Sequence, residues 1–408
     1  MASGHINPSL AIARSLVSLG HEVHYLCREQ MREAIEDTGA SFHSDIQMQH
    51  ELYEGRDPAM FGALGSLQEE HGLKGSFTKA RLLLRELAIE LMLPGTLRWL
   101  RSIHADAVLF CPLVNLEAPL AAQILGIPSA GRLTTAGPGS VKLIFNNLLK
   151  SVSSTAEEIL EERLSFPALH ECLDRLRERY GLQMPVEDTL KPVGLMPSAL
   201  ASALTLVTTA EFLADPMPAD LEKAYDGHEF LFLGPLLDKP GAKRAAGHKF
   251  GHPSSDGESS SEEEVLALAR AAKAEGRLVI LVSLGTVITG DHVDYGWNAH
   301  CSIDGEKRGL SGKENFRELC QSAWQAAFDV FGTEDALILL ALGPQADALD
   351  HLQVDLLRLG VDVFLTHGGQ NSFMEALSTG VPMVVPCQTQ HLVVRALLVV
   401  AFPGTSGA

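Results

Sequence analysis

Between residues 364 and 386 the chain reads FLTHGGQNSFMEALSTGVPMVVP, a stretch that sets a histidine, two glycines, an asparagine, a serine and a glutamate where a loop turns into a helix. The apolar run Val361 to Leu365 reads as a buried strand, and Phe373, Met374 and Leu377 recur at helical spacing. A helix start offers free backbone N–H groups and the positive end of the helix dipole, so an anionic group, usually a phosphate, binds there. Gly368 and Gly369 let backbone approach a ligand without a Cβ clash, while Asn371 and Ser372 can cap the helix or donate to phosphate oxygens. Glu375, one turn further on, can accept two ribose hydroxyls. Two glycines with Asn and Ser describe by themselves an ordinary capped helix; the whole string says more.

HGGQNSFMEALSTGVPMVVP resembles the donor-binding signature of the UDP-dependent glycosyltransferases, a family with two facing Rossmann-like doubly wound α/β domains (GT-B architecture) that moves a sugar from UDP onto small lipophilic acceptors. The resemblance implies that His367 faces the diphosphate, that Gly369, Asn371 and Ser372 bind phosphate oxygens, and that Glu375 holds the ribose. Gln370 stands where the plant branch usually has tryptophan, which points to a non-plant or microbial relative. SLGT, ending at Thr286, is a second witness: in the family the matching Ser283, Gly285 and Thr286 face the nucleotide phosphates at a strand end, where ligands of open α/β sheets gather.

Near the amino end, GHINPSLAIARSLVSLGHEVHYLC places His5 at the start of a helix, with Pro8 read as a helix-start proline, Gly20 as the stop and Glu22 to Cys27 as the following strand. The helix dipole disfavours a positive imidazole there, which leaves His5 neutral and able to accept a proton from an acceptor hydroxyl. GHINP resembles the family's catalytic-histidine motif, so His5 is the expected general base. In much of the family a carboxylate orients that histidine. Here DAVLFCPLVNLEAPL has Asp106 at the front and Cys111 where the second aspartate falls. A neutral thiol cannot do the same work: either another acid such as Glu117 substitutes, or the enzyme is slow, or it is inactive.

The elements that must position these groups follow from patterning. The 408 residues are 46% hydrophobic and 20% charged, enough for a sizeable core and two or three domains. A net charge of −19 with no basic cluster argues against nucleic acid and anionic membranes as partners, so a bound phosphate must be held by local dipoles and a few side chains. Six cysteines without CxxC or metal spacing fit a reduced, cytoplasmic setting. No apolar stretch reaches the roughly 18 residues of a membrane span. No acidic metal-binding pair is evident, so no metal and no cofactor beyond the UDP-sugar co-substrate is expected.

The expected organisation is an acceptor-binding domain over 1–233, a polar Gly/Ser/Pro-rich linker over 234–262, and a UDP-sugar-binding domain over 263–408. Residues 76–103 and 142–180 are helical in pattern, Ala203 to Thr208 and Phe230 to Leu233 are strands, and 287–315 reads as a long loop. In the second domain a helix from Glu263 to Ala274, a strand over 278–285, a helix from Phe316 to Phe331 and the strand Ala336 to Leu342 are expected. Three departures from the family stand out. No strand precedes Gly4; a strand near residue 350 looks deleted, leaving Gln353 where a uracil-contacting glutamine is expected; and after Pro386 the sugar-holding aspartate–glutamine pair is missing, with Gln390 and His391 nearby. The pattern reads as an incomplete or mis-spliced relative. Three functions are compatible: an inverting, metal-independent hexosyltransferase acting on a lipophilic hydroxyl compound, a nucleotide-binding relic of one, or a sugar-nucleotide epimerase of the same architecture.

Overall fold

The computed structural model describes residues 3–58, 62–74, 77–187, 202–238, 258–285, 291–292, 295–296, 312–341, 356–357, 359–366 and 370–385. The chain divides into two compact units. Ser15–Arg32 and Gly39–Gly234 belong to the first, and Ala2–Arg14, Glu33–Thr38 and Pro235–Ala408 to the second.

In chain order the elements before residue 240 are α1 (Ser3–Ser18), β1 (His24–Cys27), α2 (Arg32–Glu36), β2 (Ser41–Ser44), α3 (Asp45–Met48), α4 (His50–Tyr53), α5 (Gly62–Glu70) and α6 (Phe77–Ser102). There follow β3 (Val108–Phe110), α7 (Glu117–Leu125), β4 (Ser129–Leu133), α8 (Ser140–Ser151), α9 (Ala156–Leu164), α10 (Pro167–Tyr180), β5 (Leu204–Val207), α11 (Ala219–Ala224) and β6 (Glu229–Phe232). Strands β3-β4-β5-β6 form one parallel sheet in sequence order, and β1 and β2 form a separate parallel pair. Parallel neighbours need a crossover, and α7 and α11 supply two of them. On the β1 side, β1 pairs only with β2 among the described residues, and β3 pairs only with β4.

The long helix α6 anchors the first unit. Its Leu84, Leu87, Leu93, Leu97 and Leu100 pack with Leu169, Cys172 and Leu176 of α10 and Ala121 of α7. Gly95 is required where α6 meets the α3–α4 turn, because a Cβ there would stand 2.1 Å from the Met48 carbonyl oxygen. The helical stretch expected over 142–180 is three helices. Ser153 adopts a positive φ of 53°, Thr155 and Glu158 build a capping box that starts α9, and Pro167 opens α10.

The second unit continues with α12 (Glu258–Ala274), β7 (Leu278–Ser283), the short hairpin β8 (Asp291–His292) and β9 (Tyr295–Gly296), α13 (Gly312–Phe331), β10 (Ala336–Ala341), β11 (Val363–Thr366), α14 (Gln370–Thr379) and β12 (Met383–Val384). Its sheet is parallel in the order β10-β7-β11-β12, with β7 central. The run LVILVS explains that position: alternate residues of a strand face opposite sides, and β7 is apolar on both. Val279 and Leu281 pack with Ala269 and Ala272 of α12, while Ile280 and Val282 pack with Ala327 of α13. Helices therefore cover both faces, which is the doubly wound α/β arrangement expected.

Three boundaries differ from the sequence reading. α12 begins at Glu258, inside the stretch read as linker, where a serine–glutamate run suits a helix start. The segment read as one long loop over 287–315 contains the β8–β9 hairpin and the first turn of α13. Pro8 lies within α1 rather than at its start, because the helix begins at Ser3; the proline withholds the i+4 donor from the Gly4 carbonyl. The expected deletion near 350 and the altered carboxyl end, with Gln390 and His391, lie outside the described residues.

Candidate functional site

The second unit assembles its candidate site at one end of its sheet. Ser283 is the last residue of β7 and pairs in register with Thr366, the last of β11, and both are buried. The loops that begin at Leu284 and at residue 367 therefore leave adjacent parallel strands at their carboxyl ends, where ligands of open α/β sheets bind. Gly285, with φ +70°, takes the backbone into the left-handed region that glycine enters without strain.

After the loop, α14 starts at Gln370, so Asn371 and Ser372 sit inside its first turn instead of preceding it as caps. Ser372 and Glu375 are three residues apart on one helical face and both are buried. Thr366 at the end of β11 and Ser372 and Glu375 on α14 are all buried. Thr286, Gln353, His367, Gly369 and the side chain of Asn371 lie outside the described residues.

His5 occupies the first turn of α1 and is partly buried. Ile6, Leu10 and Ala13, at helical spacing, bury the inner face of the helix. Arg14 fixes its far end by forking between Asp37 at 2.7 Å and Asp238 at 2.6 Å. Asp238 is itself buried, so this bridge ties the stretch after β6 to α1.

In the first unit Asp106 is exposed ahead of β3, whereas Cys111 directly after that strand is buried. Burial pushes the Cys111 thiol up from its ordinary value, against the opposing charge of Arg132 and the N–H groups of Leu113 and Val114. The thiol is neutral. Glu117, first residue of α7, is only 2% exposed, and burial pushes its carboxyl up to about 7. Opposing that rise are backbone hydrogen bonding at its own N–H and the side chains of Gln49 and Asn115, while the Asp45 charge adds to it.

The Glu117 environment was not visible in the pattern. Gln49 donates to Glu117 Oε1 at 3.0 Å and to Thr96 Oγ1 at 2.9 Å, whereas Glu117 Oε2 is buried without a hydrogen-bond partner. Asp45 is paired with Arg28 at 2.9 Å, and Arg28 also donates to Tyr53. Arg28 follows β1, Asp45 follows β2 and Glu117 lies beyond β3, so polar groups gather past the carboxyl ends of three strands. A polar residue directly after a strand is the sequence signal that finds Arg28 and Asp45, but not Glu117.

Among the described residues no three His, Cys, Asp or Glu side chains are placed to hold a metal ion, and no helix is long and apolar enough to cross a membrane.

Comparison with known proteins agrees with this geometry. The sequence model of the UDP-glucoronosyl and UDP-glucosyl transferase family matches residues 334–389, the segment that runs from β10 through α14 to β12. The chain is 23% identical to the NDP-glycosyltransferase YjiC of Bacillus subtilis and 26% identical to that of Bacillus licheniformis, in each case over 94% of this chain and 76% of the relative. Among solved structures it is similar in fold to the glycotransferase of kitacinnamycin (TM-score 0.55, 22% identity, 96% of this chain and 79% of that one). It is likewise similar to the calicheamicin glycosyltransferase CalG4 (TM-score 0.54, 17% identity, 95% and 78%). The family match over the donor loop and the fold likeness along nearly the whole chain show that this protein is similar to the UDP-glycosyltransferases and shares the fold of GT-B glycosyltransferases.

Proposed function

We propose that the chain transfers a hexose from a UDP-sugar to a hydroxyl of a small lipophilic acceptor, with inversion and without a metal, in the cytoplasm. The observation that carries this reading is the pairing of Ser283 with Thr366, which brings the SLGT loop and the HGGQNS loop out of neighbouring strands at the same end. Residues 263–408 would hold the UDP-sugar, with Ser283, Gly285, Thr286, His367, Gly369, Asn371 and Ser372 toward the phosphates. Glu375 would hold the ribose and Gln353 the uracil edge. Residues 1–233 would bind the acceptor, and 234–262 would join the two.

In the proposed step His5 takes the proton of the acceptor hydroxyl while its oxygen forms the new bond to the anomeric carbon. The bond from that carbon to the diphosphate oxygen breaks on the opposite face, and UDP leaves with the electron pair. Charge developing on UDP is met by the N-terminal N–H groups of α14 and nearby hydroxyls, fixed dipoles that need no reorganisation as the bond breaks. His5→Ala is expected to lower turnover of UDP-glucose with a phenolic acceptor by 100-fold or more, on the order of a general base's contribution, with UDP binding by calorimetry unchanged. Full transfer activity in that variant would overturn the role of His5.

A second reading, a nucleotide-binding relic, is favoured by Cys111, a neutral buried thiol where the resemblance expects the carboxylate partner of the base. Heat on titration with UDP but no sugar transfer to any acceptor supports the relic; transfer excludes it.

A further inference from the structure

Three arginines are buried in the first unit: Arg85, Arg132 and Arg163. Two of them share one counter-ion, since Arg85 and Arg163 both bond Glu86, the latter at 2.7 Å. Arg132 is 6% exposed and, among the described residues, meets no carboxylate; its Nη1 is fully enclosed without an acceptor. A buried charge costs several kcal/mol unless it is paired, so such a group marks a place where a partner of opposite charge belongs.

The register shows where that place is. Phe110 of β3 pairs with Gly131 of β4, which puts Cys111 beside Arg132 as the two chains leave their strands at the carboxyl end. Arg132 pairs with Leu206, and Leu206 with Leu231, so these three share a face of the sheet. Leu109, two residues before Cys111, lies on that face too, and Leu109 and Leu231 are each more than a third exposed. An open apolar surface thus runs beside one buried cation. The position next to the guanidinium, which the glycosyltransferase resemblance fills with aspartate, holds an uncharged thiol.

Resting on the reading that the first unit binds the acceptor, we propose that Arg132 is a specificity-determining residue that binds the carboxylate of an amphiphilic acid acceptor. The acceptor's apolar body lies along the sheet face of Leu109, Leu206 and Leu231. Guanidinium and carboxylate form a charge-assisted, bidentate pair. With a net charge of −19 the protein as a whole repels anions, so a local cation is needed to select an acid over its neutral analogue. Cys111 matters by being neutral: an aspartate there would be an internal carboxylate and would occupy Arg132.

The test is calorimetry on the full chain with para-hydroxybenzoate and with para-hydroxybenzyl alcohol, two probes that differ in the acid group. The acid is expected to bind the wild type about 10- to 100-fold more tightly, the range for a hydrogen-bonded ion pair. Arg132→Met and Cys111→Asp should each abolish that preference while leaving the heat of UDP binding unchanged, with folding of the first unit reported by an unchanged far-UV circular dichroism spectrum and cooperative urea unfolding. Arg132→Lys should restore part of it. Equal affinity of the two probes for the wild type, no binding of either, or a preference that survives in a folded Arg132→Met protein overturns the proposal. Inorganic phosphate serves as a third probe: binding of phosphate without binding of the acid also overturns it. If the acid binds but no sugar is transferred, the glycosyltransferase reading fails and this one stands; transfer to neutral and acidic acceptors alike has the opposite meaning.

Discussion

Glu117→Gln is expected to stabilise the protein at alkaline pH and to do almost nothing at acid pH. Its carboxyl is buried, with Gln49 on one oxygen and no partner on the other. Burial moves its pKa from the ordinary 4.5 up to about 7. The native state therefore holds this proton more tightly than the unfolded chain does. Stability from this group is complete below about pH 4.5, declines between 4.5 and 7 as the unfolded chain ionises first, and is lost above 7. A rise of this size corresponds to about 3 kcal/mol. Glutamine resembles the protonated acid: its oxygen keeps the Gln49 hydrogen bond, and its amide fills the space of the unpartnered oxygen without a charge. Urea unfolding at pH 4.5 and pH 8, followed by tryptophan fluorescence, reads the difference. At pH 8 the midpoint should rise by on the order of 1 M for a urea dependence of about 3 kcal/mol per molar, and at pH 4.5 the two proteins should coincide. Asp45, raised by its own burial, titrates in both proteins and drops out of the comparison to first order. An equal shift at both pH values, or a loss at pH 8, would refute the reasoning, because it would mean that the carboxylate is stabilised where it lies.

Glu86→Ala should destabilise the first unit by about 3–5 kcal/mol, since it leaves Arg85 and Arg163 buried without a counter-ion; the unfolding midpoint and loss of soluble expression check it. Gly95→Ala should cost about 1–3 kcal/mol or more, because the added Cβ meets backbone at the Met48 carbonyl, which cannot swing aside as a side chain does. A thermal midpoint unchanged within error would rule out that packing.

The architecture was legible where apolar periodicity and local chemistry agree. β7 and β11 declared themselves as short apolar runs, α6 as a long leucine-rich stripe, and the strand–glycine loop–helix order at α14 by its punctuation. The split of 142–180 into three helices was written in Thr155, Glu158 and Pro167, but apolar spacing that continues across a break conceals it. Boundaries slipped for a related reason. Helix ends depend on which backbone groups find partners, and Ser3 rather than Pro8 starts α1 once Ile6 is buried within it. Of the two roles open to Asn371 and Ser372, capping or donating to a phosphate, the first does not fit their position, because the helix already includes Gln370.

Charged residues inside the first unit were the least legible, since in a sequence a charge marks a solvated face. Glu86, Glu117 and Arg132 are buried all the same, and the fold deals with each by a different means. Burial pushes the Glu86 carboxyl up, and the charges and hydrogen bonds of Arg85 and Arg163 outweigh it, so that its pKa lies below the ordinary value. Glu117 keeps its proton to about pH 7. Arg132 meets no carboxylate among the described residues, and Cys111 beside it offers no charge. The three therefore respond with different signs to removal of charge at pH 8. Neutralising Glu86 destabilises, neutralising Glu117 stabilises, and Arg132→Met stabilises the unliganded protein while abolishing its preference for an acid. Arg132 meets no carboxylate among the described residues of the first unit, and a gain in stability on Arg132→Met would fit the proposal that a ligand's carboxylate is its partner.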